Sequence, residues 1–219
     1  MRIRKRAWAR PELEECKFYI DKPEVNKGKW NKCFKKIQPI HMELGCGKGG
    51  FISKIAVKNL DINYIAVDLI DAMLGLAKRK IEEKYNEEKK EIDNVIIARC
   101  NIEQILDMMD TTDIVDRIYI NFCNPWPRGK HHKKRLTHTR QLEKYKVFLK
   151  DGGEIRFKTD DDDLFNSSLR YFEEAGFEII WKTYDLHAEN IQDNIETEHE
   201  DMFSKEGIKI KALVAKLSK

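Results

Sequence analysis

The chain has 219 residues, of which 36% are charged and 41% hydrophobic, and its net charge is only +3. This length suits one domain of ordinary size with its own core. Ten Phe, seven Tyr and four Trp argue against disorder. There is no run of 18 apolar residues, and no apolar stretch follows the basic first residues. The sequence therefore excludes a membrane-spanning helix and a secretory signal, and we expect a cytoplasmic protein.

The cysteines argue against a disulfide framework or a structural zinc site. Their number is odd, and no two of them form a Cys-x-x-Cys pair. The five residues are Cys16, Cys33, Cys46, Cys100 and Cys123. We expect each of them to be a small buried residue or an incidental thiol.

Positive charge is concentrated in two places. The first cluster comprises Arg2, Arg4, Lys5, Arg6 and Arg10, in a basic amino-terminal arm of about residues 1–35. The second comprises Arg128, Lys130, Lys133, Lys134 and Arg135. Local clusters on a nearly neutral chain indicate contact with a polyanion at defined places.

Hydrophobic periodicity predicts strands that alternate with helices. In chain order we expect a strand at residues 40–44, a helix at 51–58, a strand at 62–69, a helix at 71–85, a strand at 95–99, a helix at 102–109, a strand at 117–122, a helix that ends at the Asp-Gly-Gly of residues 151–153, a strand at 154–159, a helix at 164–175, and strands at 178–184 and 208–216. This alternation predicts an α/β fold, a mostly parallel sheet with helices on both faces. The last two strands have no clear helix between them, which permits an antiparallel pair at one edge.

A glycine-rich loop follows the first of these strands. Gly45, Gly47 and Gly50 fit the Gly-x-Gly-x-x-Gly spacing of nucleotide-binding loops, although a plain turn would also use glycine. Asp68 ends the next strand, where a carboxylate can accept both ribose hydroxyls of an adenosine. A nicotinamide dinucleotide and S-adenosylmethionine are both possible ligands. Glu43 favours the second, because a carboxylate would repel a pyrophosphate but would hold the ammonium of the methionine end.

Residues 121–137, NFCNPWPRGKHHKKRLT, carry a family resemblance. They resemble the bacterial tRNA (guanine-N7)-methyltransferases, whose pattern there is N-F-x-D-P-W-P-K-x-R-H-x-K-R-R-L-T. Agreement continues at residues 28–30, 43–51, 157–160, 164–165, 197–200 and 203. The resemblance implies one Rossmann-like methyltransferase domain over residues 1–219, with S-adenosylmethionine as donor and S-adenosylhomocysteine as product. It also implies a tRNA partner, methylated at N7 of a guanine in its variable region. From its basic composition, we expect the amino-terminal arm to stay flexible until RNA orders it.

The resemblance also implies the site residues. The cofactor-binding set, which includes two glycines of the loop, is Glu43, Gly45, Gly47, Asp68, Asn101 and Asn124. Asn124 also matches the catalytic position. The substrate-binding set is Arg128, Asp160, Thr197, Glu198, His199 and Glu200. The segment for RNA contact comprises Lys130, His131, His132, Lys133, Lys134 and Arg135. No metal ligand is implied.

Three positions depart from the family pattern. Asn124 replaces an aspartate, Arg128 replaces a lysine, and His199 stands where an aromatic residue is common. Guanine N7 carries a free lone pair, so the reaction needs no base, nucleophile or metal, and an amide at position 124 is compatible with activity. Asp160 and its neighbours are interpreted as a strand end that runs into a helix N-terminus rather than as a metal site.

Two other functions are weighed against this one. A small-molecule methyltransferase would not need the two basic clusters. An RNA-binding relative without catalysis is suggested only by Asn124. Among the substrate positions, a carboxylate that accepts from guanine N1–H and N2–H is expected, and Asp160, Glu198 and Glu200 are the candidates.

Overall fold

The computed structural model describes residues 6–189, 191 and 194–218. Two compact units make up the chain, Met1–Asp113 and Ile114–Lys219. None of the helices in the described ranges is both long and apolar enough to cross a bilayer.

The first unit contains four parallel strands in the order β1-β4-β3-β2. They are β1 (Tyr19–Ile20), β2 (Ile40–Leu44), β3 (Asn63–Asp68) and β4 (Val95–Arg99). The helices are α1 (Ala9–Glu14), α2 (Gly50–Lys58) and α3 (Asp71–Glu87), and short 3₁₀ segments lie at Pro23–Asn26, Trp30–Cys33 and Ile102–Asp107. Every residue of β2 is buried, including the polar His41 and Glu43. On α3, Leu74, Ala77, Ile81 and Tyr85 form the buried stripe that the sequence predicts.

The amino-terminal segment differs from the expected flexible arm. From Ala9 onward the chain forms α1, β1 and two 3₁₀ segments. Trp30 is fully buried, and its indole nitrogen donates to the Met108 carbonyl over 2.8 Å. The backbone amides of Gly28 and Trp30 both donate to the Asp113 carboxylate. Residues 9–34 are therefore a packed part of the first unit, while residues 1–5, with three of the predicted basic side chains, lie outside the described residues.

The second unit contains four strands in the order β5-β6-β8-β7. They are β5 (Val115–Asn121), β6 (Leu149–Thr159), β7 (Phe177–Thr183) and β8 (Lys211–Leu217). The helices are α4 (Thr139–Tyr145), α5 (Asp162–Glu174) and α6 (Glu198–Lys205), and a 3₁₀ segment spans Gly129–Lys134. β5 and β6 are parallel, whereas β8 is antiparallel to both β6 and β7. The predicted antiparallel pairing of the last two strands is confirmed.

Two predictions of local structure in this unit are wrong. The Asp-Gly-Gly of residues 151–153 does not end a helix, because α4 ends at Tyr145 and β6 has already begun at Leu149. Val115 pairs with Leu149 and Arg117 with Glu154, so residues 150–153 bulge from the ladder, and Gly152 supplies the positive φ of +72°. Helix α6 was not predicted between β7 and β8, since its charged sequence has little apolar periodicity.

Candidate functional site

In the first unit, three strand ends meet at one edge. Leu44 is in register with Val67, and Asp68 is in register with Arg99. The glycine-rich loop, Asp68 and the start of the 102–107 segment therefore lie at neighbouring carboxyl ends. This is the edge at which open α/β sheets bind their ligands.

The glycine-rich loop is tied to the end of β3. The amides of Gly45 and Cys46 donate to the Val67 carbonyl over 2.9 and 3.0 Å. The Gly47 amide donates to Asp68 Oδ2, and the Ile70 amide donates to Asp68 Oδ1, each over 3.0 Å. Asp68 thus fixes the loop and is itself held at the strand end.

Gly47 and Gly49 have different tasks. Gly47 has φ +53°, and no atom of the described residues lies within 4 Å of the position that a Cβ would take, so the loop leaves an open cradle there. A Cβ on Gly49 (φ +77°) would lie 2.6 Å from Ala77 Cα, so this glycine permits the close contact of the loop with α3. Gly50, which fits the third glycine of the predicted spacing, is the first residue of α2.

The electrostatics of this loop favour a cationic ligand. Burial raises the pKa of the Cys46 thiol well above its usual value, and the negative charges of Asp68 and Glu43 raise it further. Both carboxylates therefore act on the same small volume. Glu43 is 3% exposed in β2, and burial also raises the pKa of Asp68. A sulfonium with an ammonium fits this negative environment, whereas a pyrophosphate does not. The residues present fit S-adenosylmethionine.

Asn101 lies at the same edge, on the surface. Its Oδ1 accepts from the Glu103 amide over 3.1 Å and caps the 102–107 segment, and its Nδ2 donates to Gln104 Oε1 over 3.3 Å. Contact of this side chain with an adenine stays a prediction.

In the second unit, the turn after β5 lies beside the end of β6. Asn121 is in register with Lys158, and the Phe122 amide donates to the Lys158 carbonyl over 2.9 Å. Phe122 and Trp126 have positive φ values of +51° and +45°, an unfavourable conformation for residues with a Cβ. Asn124 is exposed, and its Oδ1 accepts from the Trp126 amide over 3.0 Å. The structure therefore gives Asn124 at least the turn-forming role.

Asp160 follows β6 at the same edge as this turn. Its backbone carbonyl accepts from Lys211 Nζ over 2.9 Å, but within the described ranges no group donates to its half-buried carboxylate. Its negative charge acts on the Cys123 thiol, whose pKa burial raises to about 12. Asp161 caps α5 by accepting from the Leu164 amide over 2.7 Å, as the interpretation of a helix N-terminus requires. Asp160 is thus left as an acceptor for a ligand.

Residues Thr197–Glu200 form the start of α6 rather than a plain loop. Thr197 and Glu200 make a capping box, and Glu200 is fully buried. Its carboxylate pairs with Lys158 Nζ at 3.1 Å and accepts from Asn194 Nδ2 over 2.5 Å. Glu200 is therefore committed to the protein and is not placed to accept from guanine. Asp160 and the exposed Glu198 remain as candidates for that task.

His199 and Lys158 complete this part of the unit. The exposed His199 ring stacks on Phe122 at 5.8 Å and 19°, so histidine keeps the aromatic contact expected at this position. Lys158, which sequence reasoning did not single out as a site residue, has three acceptors: Asn194 Oδ1, the Ile195 carbonyl and Glu200. Only its place in the Phe-Lys-Thr-Asp motif could have pointed to it.

The 3₁₀ segment Gly129–Lys134 presents the predicted basic surface. Arg128, Lys130, Lys133 and Lys134 are exposed. His131 meets the Trp126 ring edge-on at 5.7 Å, and Lys134 Nζ lies 5.1 Å from that ring. His132 is partly buried. Positive charge interleaved with a planar ring is typical of nucleic-acid surfaces.

Arg135 does not belong to this basic surface. Its side chain is fully buried; Nε donates to the Pro125 carbonyl over 2.7 Å, and Nη2 pairs with Asp163 at 2.5 Å. The prediction that it contacts RNA needs correction, because its donors face the protein. In the described parts of the chain, no group of three or more His, Cys, Asp or Glu side chains is arranged to hold a metal ion.

Solved structures share this fold at low sequence identity. A 16S rRNA methyltransferase, KamB, matches with a TM-score of 0.60 and 14% identity, covering 100% of this chain and 97% of its own. An antibiotic-related methyltransferase matches with a TM-score of 0.57 and 19% identity, covering 81% of this chain and 86% of its own. The Rossmann-like methyltransferase fold is thereby confirmed.

Sequence relatives are far closer. A family model described as "Putative methyltransferase" matches residues 37–213. The tRNA (guanine-N(7)-)-methyltransferase of Clostridium beijerinckii is 57% identical over 215 residues, 98% of each chain. That of Clostridium perfringens strain 13 is 56% identical over 217 residues, 99% of each chain. This chain belongs to the tRNA (guanine-N7)-methyltransferase family.

Proposed function

We propose that this protein transfers a methyl group from S-adenosylmethionine to N7 of a guanine in the variable region of tRNA. The observation that carries the proposal is 57% identity along 98% of both chains to a relative of that name. The tryptophan motif with its basic segment, residues 121–135, supports the same substrate class.

The first unit would hold the donor. Glu43 and Asp68 create the negative field around Cys46, and the cradle beside Gly47 is open. Asp68 would accept the ribose hydroxyls, Glu43 would hold the ammonium, and Gly45 and Gly47 would let the backbone approach. Asn101 would face the adenine with its exposed side-chain amide, which also caps the 102–107 segment. Each charge-assisted contact of this kind contributes about 1.5–3 kcal/mol.

The second unit would hold the guanine and its strand. Asp160 offers a carboxylate oxygen pair that no described group occupies, and such a pair suits the adjacent N1–H and N2–H donors of guanine. Glu198 is the second candidate for this contact. His199, stacked on Phe122, adds a planar surface beside it. Arg128, Lys130, Lys133 and Lys134 would contact phosphates, and Thr197 and Glu200 would support the site by starting α6.

The chemistry asks for positioning more than for proton transfer. S-adenosylmethionine, when bound, supplies an electrophilic methyl group. Guanine N7 has a lone pair, so the side chains need only orient the purine and stabilise the positive charge that develops on it. The carboxylate of Asp160 and the amide oxygen of Asn124 are suited to that stabilisation.

Nucleoside analysis tests this proposal. The purified protein is incubated with S-adenosylmethionine and unmodified tRNA transcripts, and the digested RNA is analysed for 7-methylguanosine. We expect 7-methylguanosine only with transcripts that have a guanine in the variable region, and none after that guanine is changed to adenine. Product formed equally with both transcripts would refute the variable-region assignment. Tight RNA binding without any product would favour a non-catalytic relative, and methylation of small molecules alone would favour the other class.

A further inference from the structure

Arg135 is the last residue of the basic segment in the sequence, but its side chain does not lie on the surface. Lys133 and Lys134 are exposed, whereas the Arg135 side chain has no exposed area. Two of its nitrogens are committed within the protein, Nε to the Pro125 carbonyl and Nη2 to Asp163 in the first turn of α5. A planar guanidinium holds two partners with two separate nitrogens at fixed angles, and the single nitrogen of an ammonium cannot take both positions.

One partner of Arg135, the Pro125 carbonyl, lies in the turn after β5. Pro125 lies between Asn124 and Trp126, and the turn contains two residues in the left-handed region, Phe122 and Trp126. Each such residue costs about 1–3 kcal/mol and persists only when its surroundings hold it. The next residue, Leu136, adds a second tie through a backbone hydrogen bond to the Cys123 thiol. The chain around residue 135 therefore fastens the strained turn at two points.

We propose that Arg135 is a positioning residue: it fastens the turn that carries Asn124 and Trp126 to the start of α5, so that these two side chains meet the substrate in one geometry. The inference rests on the proposed function. It separates the basic segment into an exposed part that contacts RNA and a buried end that orders the turn. Arg135 itself touches neither RNA nor donor.

A contribution to stability does not explain why the Arg135 guanidinium is buried. Arg135 Nη1 is buried and has no hydrogen-bond partner among residues 6–189, 191 and 194–218. A buried charge with an unsatisfied donor is costly, and apolar side chains of similar volume often replace such groups without loss of stability. The geometry that Arg135 imposes on Pro125 gives the residue a use that an apolar side chain could not provide.

Single-turnover methylation with saturating tRNA and donor tests the proposal. We expect Arg135→Met to lower the rate by about 10- to 100-fold, the cost of misplacing a reacting group by about 1 Å. Its tRNA affinity should keep the salt dependence of the unmodified protein, whereas Lys133→Met should lower the log–log slope by about 0.7–0.9. Arg135→Lys should also lose rate, because the single lysine nitrogen cannot replace both Nε at Pro125 and Nη2 at Asp163. Arg140→Met, an exposed arginine on α4, is the matched control and should change neither quantity.

A double-mutant cycle with Asn124 adds a readout that a general loss of stability would not move. If Arg135 acts through the turn, Arg135→Met in an Asn124→Ala background should cost little further rate. If Arg135→Met does not fold, Asp163→Ala takes its place, because it removes only the partly exposed partner; a loss of about fivefold is expected.

Three results would overturn the inference. The first is a reduced salt slope of tRNA affinity for Arg135→Met, which would make Arg135 an RNA contact. The second is a normal single-turnover rate for folded Arg135→Met, Arg135→Lys or Asp163→Ala. The third is full additivity of the rate effects of Arg135→Met and Asn124→Ala. If the unmodified protein makes no 7-methylguanosine, the proposed function fails instead, and this outcome is read before any variant is compared.

Discussion

Asn124 is the residue at which the sequence departs from the family pattern at the proposed reaction centre. Its amide oxygen accepts from Trp126, so it shapes the turn, and its exposed position also lets it face a substrate. We expect Asn124→Ala to lose about ten- to a thousandfold in single-turnover rate, the range for one preorganised polar group. Asn124→Asp keeps the acceptor and adds a charge that stabilises the purine cation, so its rate should equal or exceed that of the unmodified protein. Equal rates for Asn124→Ala and the unmodified protein would deny the residue a chemical role.

Asp68 gives donor binding a pH dependence. In the proposed site its ionised carboxylate would bind the donor, and burial raises its pKa above the ordinary 3.8. As the pH is lowered, donor affinity measured by calorimetry should therefore begin to fall at a higher pH than it would if the aspartate had its ordinary pKa. The effect on folding has the opposite sign: because the folded state binds this proton more tightly than the unfolded chain, the cost of ionising Asp68 disappears as the pH falls.

Asp68→Asn and Asp61→Asn provide the comparison for this prediction. Asp68→Asn should bind donor weakly and without that pH dependence, whereas Asp61→Asn, an exposed control, should behave like the unmodified protein. An unchanged pH profile in Asp68→Asn would mean that another group titrates.

At the scale of elements, the 3₁₀ segment Gly129–Lys134 should act as an electrostatic contact for RNA. Replacing Lys130, Lys133 or Lys134 by methionine, one at a time, should weaken tRNA binding. Each should also lower the slope of log affinity against log salt by about 0.7–0.9. Lys182→Met on β7 removes an equal charge from an exposed site and should leave the slope unchanged. Slopes that stay constant in all three variants would place the RNA elsewhere.

The start of α6 depends on a buried ion pair. Burial lowers the pKa of Lys158, and the Glu200 carboxylate opposes that shift, so the lysine charge is tolerable only with its partner. We expect Glu200→Ala to reduce the free energy of unfolding in urea by about 3–5 kcal/mol. Lys158→Met combined with Glu200→Leu should be less destabilising than Glu200→Ala, because no buried charge is left alone. Glu206→Ala, an exposed control at the end of α6, should change little. A mild effect of Glu200→Ala would show that the pair is dispensable.

Across the molecule, the sequence predicts what depends on local pattern and misses what depends on distant partners. β2 and β4 have the predicted bounds because short, mainly apolar runs mark buried strands. The bulge at residues 150–153 was missed because its glycines also suit a helix end. Arg135 looks like its basic neighbours in sequence, and only the fold brings it to Asp163, 28 positions away. Glu200 is likewise committed by Lys158, which lies 42 positions earlier.

The two units should respond to different ligands, and linkage gives a test of the whole protein. A ligand at 100 times its dissociation constant lowers the population of the opened state by about a hundredfold, and proteolysis that tracks this population slows by the same factor. S-adenosylhomocysteine should give this protection to the unmodified protein and to Lys133→Met, but much less to Asp68→Ala at the same concentration. Unmodified tRNA should give the reverse pattern, protecting Asp68→Ala more than Lys133→Met. Full protection of Asp68→Ala by S-adenosylhomocysteine would contradict donor binding at the loop of the first unit. Full protection of Lys133→Met by tRNA would contradict RNA binding at the basic segment of the second unit.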